Sequence, residues 1–81
     1  ESQIMLGVLA RDRSDHAAAG RRFHEATRFN PEYSVPWMLL GEQQAAVGDT
    51  SGAMASLRAA LKLAPNNRDA AAILARLSPR I

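Results

Sequence analysis

Residues 37–65 read WMLLGEQQAAVGDTSGAMASLRAALKLAP, and their pattern of apolar and turn residues is the strongest indication of the fold. Apolar side chains recur every three or four positions on both sides of Gly48-Asp49, which is the spacing of helices that bury one face. Gly48 is typical of the position just after a helix, and Asp49 is a typical cap of the next one. Pro65 ends the second helix. The stretch therefore predicts two helices joined by a short turn.

The first of these helices is predicted to span about 34–47 and the second about 50–63. Ser34 suits the N-cap position, and Pro36 is tolerated in the first turn because its missing N–H would have no intrahelical partner there. Asn67 is a further predicted cap, and it begins one more helix.

The same plan occurs earlier in the chain at an offset of 34 residues. A fixed period of this length is the mark of a repeat architecture. The matched positions are those expected to pack or to turn, and the pairs are Leu6-Gly7 with Leu40-Gly41, Asp15 with Asp49, Ala19 with Ala53, Phe23 with Leu57, Ala26 with Ala60, Phe29 with Leu63 and Pro31 with Pro65. The first copy thus predicts a helix to about Asp12, a cap at Asp15, a helix to about Arg28 and a break at Asn30-Pro31.

These residues resemble the tetratricopeptide signature, W-x2-L-G-x2-Y followed by A-x3-F and P, at its usual length. The second copy carries the signature at Trp37, Leu40, Gly41, Ala53, Leu57, Ala60 and Pro65, and the first copy carries it at Leu6, Gly7, Ala10, Ala19, Phe23, Ala26 and Pro31. Departures from it include Gln3 in place of Trp, Gln44 in place of an aromatic residue and Leu57 in place of Phe.

The resemblance implies an all-α domain over residues 1–81, a right-handed superhelix of two helix-turn-helix repeats and a C-terminal capping helix, five helices in all. Repeat one is expected over about 1–33, repeat two over about 34–67 and the capping helix over about 68–77, where Leu74 is in register with Leu40. The chain starts at Glu1 with no initiator methionine, so we expect a fragment of a longer protein.

Small residues mark the positions where helices are expected to approach closely. Gly7 and Gly41, and the alanines in register with each other, would be overpacked by a larger side chain. We expect Trp37 to be the largest contributor to the core. The capping helix has an apolar side, formed by Ala70, Ala71, Ile73, Leu74 and Leu77.

Composition excludes several classes of function. The 81 residues make one small domain without room for a large catalytic pocket, and the absence of cysteine excludes disulfides and thiolate sites. The net charge is +2, and the arginines alternate with acidic residues along the chain. This distribution argues against a continuous basic surface that binds nucleic acid. The sequence has no run long enough for a membrane span. The sequence does not identify the compartment, and we expect a soluble, cytoplasmic protein.

No motif of catalysis, cofactor binding or metal binding is present in the sequence. His16 and His24 lie two helical turns apart, about 12 Å, so they cannot chelate one metal ion. We expect both to be surface residues of one helix, and we predict neither an enzyme nor a cofactor.

The resemblance implies that the first helix of each repeat lines a concave face where partners bind. The predicted contact residues are Ile4, Met5, Val8, Val35, Met38, Leu39, Glu42, Ile73 and Arg76, which form a mainly apolar stripe. Some family members clamp acidic chaperone tails with Lys, Asn and Arg side chains. The corresponding positions here are Ile4, Val8, Leu39, Asp69 and Ile73. None of these side chains can bind a carboxylate.

The partner predicted instead is an amphipathic helix or an extended segment with apolar anchors, to which Met5 and Met38 can adapt. A second interpretation stays open, in which the same stripe packs between neighbouring helices, against upstream repeats or against a second copy of the chain.

The leading functional hypothesis is a protein-binding scaffold or adaptor. The alternative is an accessory domain of a larger enzyme whose catalytic part lies elsewhere, and a third, RNA binding, rests on the arginines alone. We expect a monomer or a weak homodimer. The bias of nine arginines to one lysine, with abundant alanine, suggests a bacterial source.

Overall fold

The structure, a computed structural model, describes residues 2–78, so the expectation drawn from Glu1 lies outside the described residues. These residues form five helices and no strand, as the repeat pattern predicted. The helices are α1 (Gln3–Asp12), α2 (His16–Phe29), α3 (Ser34–Ala46), α4 (Thr50–Leu63) and α5 (Arg68–Leu77).

Three of the helices begin at the predicted caps. The side chains of Asp15, Asp49 and Asn67 accept backbone N–H bonds three residues further on, at 3.2, 3.0 and 3.1 Å. Each bond satisfies one of the N–H groups that a helix start leaves free.

The predicted cap at Ser34 is wrong. Tyr33 is the N-cap of α3, Ser34 is the first helical residue, and no side chain caps this start. Pro36 then occupies the third helical position, where a capping side chain often finds its N–H donor. Because proline has no N–H, this helix start has one group fewer to satisfy.

The turns inside the two repeats are built alike. Ser14 and Gly48 are in register and both have positive φ, 62° and 86°. Glycine adopts this conformation without steric cost, which explains why Gly48 ends α3 as predicted.

The helices of each repeat are held together by a large side chain against a glycine. Phe23 and Leu57 are fully buried at equivalent positions. A Cβ added at Gly7 would lie 2.5 Å from the Phe23 ring, and one added at Gly41 would lie 2.8 Å from Leu57 Cγ. The predicted close approach of the helices at both glycines is therefore confirmed.

Trp37 differs from the prediction. It is only partly buried, while Phe23, Leu57, Gln43 and Pro36 are the largest fully buried side chains. Its ring packs against both core clusters, one around Phe23 and one around Leu57, and its Nε1–H donates to the Pro31 carbonyl at 3.0 Å. Trp37 thus joins the two repeats across their boundary.

The helices alternate between two layers. α2 packs on α1 and α3, and α4 packs on α3 and α5, so that α1, α3 and α5 lie along one side and α2 and α4 along the other. The layers form a molecule of 42 × 25 × 17 Å. The layer of α1, α3 and α5 contains a groove between α3 and α5.

Candidate functional site

A groove of about 350 Å³ opens between α3 and α5, with α1 at its margin. Five of the nine predicted contact residues line it: Met38, Leu39, Glu42, Ile73 and Arg76. Arg11, Asp69 and Ala72 complete the lining. The structure thus brings together three of the four predicted residues of α3 and both of those of α5.

The floor of the groove is apolar. Met38 and Ile73 are half-buried and pack against the core, so part of each side chain stays open to the groove. Leu39 is only 8% exposed and belongs to the core cluster around Phe23. Leu39 therefore supports the floor from beneath and offers a partner little surface, in contrast to its predicted contact role.

The rim of the groove is charged. Arg11 Nη1 donates to Glu42 Oε1 at 3.3 Å, and this ion pair joins α1 to α3. Asp69 and Arg76 are exposed on α5. The predicted stripe was mainly apolar, whereas the groove has an apolar floor between charges of both signs.

A chain of hydrogen bonds behind the rim holds Glu42 in place. Gln43 Nε2 donates to Glu42 Oε1 at 2.9 Å, and His16 Nδ1 lies 2.6 Å from Gln43 Oε1. Since an amide oxygen only accepts, His16 carries its proton on Nδ1 in this arrangement. The chain connects the rim to α2 through the Gln43 side chain, which is 1% exposed.

The family model for the tetratricopeptide repeat matches residues 10–77, which is most of the chain. The chain belongs to the tetratricopeptide repeat family. A comparison with curated proteins finds no match. Tetratricopeptide repeats generally mediate protein–protein interactions and are typically non-catalytic modules, so the partner class is protein.

The other four predicted contact residues lie outside the groove of this tetratricopeptide module. Ile4, Val8 and Val35 are half-buried and pack against the cluster around Phe23. Met5 is 62% exposed and does not line the groove, although it is in register with Leu39 and Ile73, which do. These four positions therefore do not join the apolar floor.

Two rim residues were missed as contacts, although a sequence signal exists for both. Arg11 follows Val8 by three positions, and Asp69 precedes Ile73 by four, so each lies on the same helix face as a predicted contact. Both are charged, whereas the predicted stripe was mainly apolar.

His16 also differs from its prediction as a surface residue, since it is half-buried and bonded to Gln43, whereas His24 is exposed. Among residues 2–78, no three His, Asp or Glu side chains lie close enough together to hold a metal ion. Over the same range, none of the tetratricopeptide helices has the length and apolar character needed to cross a membrane.

Proposed function

We propose that this tetratricopeptide module holds a protein segment in the groove between α3 and α5. The observation that carries the proposal is the half-open apolar floor of Met38 and Ile73 between charged walls. An amphipathic helix or an extended segment with one or two apolar anchors suits such a groove. Met38, which is unbranched and flexible, adapts to the shape of the anchor.

The charges of the rim favour a segment of mixed charge over an acidic tail. Arg11 is already paired with Glu42, and Arg76 shares the rim with Asp69. A clamp for a carboxylate-rich tail needs cations without acidic neighbours, because each neighbour offsets the attraction. The proposed partner therefore carries apolar anchors flanked by residues of both signs.

The test begins with affinity capture using the wild-type chain as bait, followed by the Kd of the purified partner for two variants, Met38→Glu and Ile73→Glu. Each variant places a charge on the floor, where it would be desolvated by an apolar anchor. We expect each to weaken binding by at least about tenfold, the size of effect seen when an interface anchor is disrupted.

The matched control is Val47→Glu, which introduces the same charge at an exposed apolar residue outside the groove. It should leave the Kd unchanged. Circular dichroism and thermal melting show that each variant is folded. Unchanged binding by both floor variants, with folding intact, would contradict the groove assignment. Val8→Glu is a poorer probe because Val8 does not line the groove.

A further inference from the structure

A second cleft, of about 320 Å³, lies at one end of the helices, where α1 begins, α2 ends and α3 begins. The residues that matter to its chemistry are Gln3, Ile4, Ala26, Phe29, Tyr33 and Pro36. None of them lines the groove between α3 and α5. The cleft is therefore a separate surface from that of the proposed function.

Two aromatic side chains stand exposed at this cleft. Phe29 is 86% exposed and Tyr33 is exposed as well. Leu63, in register with Phe29 in the second repeat, is 41% exposed. Large apolar side chains clustered in the open are typical of a contact surface. The first repeat thus leaves open a site that the second repeat covers better.

The two repeats also differ in the side chain that can fill this space. Trp37 of the second repeat packs against the cluster that contains Ala60 and Ala70. A shift of 34 residues puts Gln3 in register with Trp37, and it puts two residues of the cleft lining, Ala26 and Pro36, in register with Ala60 and Ala70. The second repeat therefore fills the equivalent space with its own indole.

The side chain of Gln3 is held by another residue. Arg22 Nη1 donates to Gln3 Oε1 at 3.4 Å, which ties the amide to α2. An amide is also polar and smaller than an indole, so it cannot replace the apolar contacts that Trp37 makes. The cleft in the first repeat remains open as a consequence.

We propose that this cleft binds one aromatic side chain of indole size from a protein partner, in the position that Trp37 occupies in the second repeat. The partner ring would lie on Ala26 and Pro36 and contact the Phe29 and Tyr33 rings at the mouth. Aromatic rings favour such contacts in offset or edge-to-face geometry. A buried Tyr or Trp side chain also usually forms a hydrogen bond through its O–H or N–H group. The proposal is independent of the groove between α3 and α5.

The experiment is an NMR titration of the chain with N-acetyl-tryptophanamide. We expect saturating shift changes at Ile4, Ala26 and Phe29, with a Kd on the order of 1 mM as suits so small a ligand. In Gln3→Trp the chain supplies its own indole, so these shift changes should disappear. The matched control, Ser51→Trp, adds an indole at an exposed site on α4 and should keep the titration of the wild type.

A second variant, Phe29→Ser, alters only an exposed side chain and should weaken the titration several-fold while the fold is kept. N-acetyl-lysinamide, which offers no ring, should cause no saturating change at the cleft. The proposal would be overturned if the wild type gave no saturating change at these residues, or if Gln3→Trp and Phe29→Ser titrated like the wild type. Sedimentation showing a wild-type dimer that Phe29→Ser dissociates would also overturn it, since the occupant would then be a second copy.

Discussion

The amide of Gln43 connects three helices through two hydrogen bonds. Its nitrogen bonds to Glu42, which is paired with Arg11 of α1, and its oxygen faces His16 of α2. Because Gln43 is buried, His16→Ala would leave its oxygen without a donor, at a cost of about 1–3 kcal/mol. Urea denaturation measures this loss.

His24→Ala is the control, because it alters an exposed histidine of the same helix and should change stability by less than about 0.5 kcal/mol. Equal losses in the two variants would contradict this role of His16.

Substitution by alanine should have opposite effects on stability at two glycines of the first helix pair. A Cβ at Gly7 would collide with the buried Phe23 ring, which has no room to move, so Gly7→Ala should cost about 1–3 kcal/mol. At Gly20 the nearest atom to an added Cβ is Gln43 Cβ, at 3.7 Å, an ordinary contact. Gly20→Ala should therefore stabilise α2 by about 0.5–1 kcal/mol through helix propensity. Thermal melting distinguishes the signs, and a loss at Gly20 would show that α2 and α3 pack more tightly than described.

At the scale of the molecule, Trp37 and Met38 of α3 are the side chains that pack against both core clusters among residues 2–78. Trp37→Ala should cost about 2–3 kcal/mol, less than a fully buried tryptophan, because the ring is partly exposed. Stability in repeat proteins depends on contacts between neighbouring repeats. Without the Trp37 ring the two helix pairs should open independently, so the amide exchange rates of α1–α2 and of α4–α5 should become different. Phe23→Ala is the control, as it removes a side chain from the first cluster alone. Parallel changes in both pairs after Trp37→Ala would contradict the connecting role.

The helices were predictable from local signals. Caps such as Asp15 and Asp49 and the glycine at Gly48 depend only on neighbouring residues, and the 34-residue register predicted close helix approach at Gly7 and Gly41. At Ser34 the predicted cap was wrong by one residue, since Ser34 is the first helical residue and Tyr33 is the N-cap. The candidate site was less predictable, because an apolar side chain on one helix face looks the same whether it lines a groove or fills the core.

The five helices, their order and the family follow from the amino-acid sequence alone, since periodicity and caps depend on nearby residues and the repeat is a match within the chain. Only the tertiary structure decided that Leu39 lies beneath the groove while Met38 stays open, and that Arg11 reaches Glu42. It also showed that Gln3, in place of a tryptophan, accompanies an open cleft. The physical reason is that exposure depends on which neighbouring helix covers a side chain, and that is a relation between residues distant in the chain.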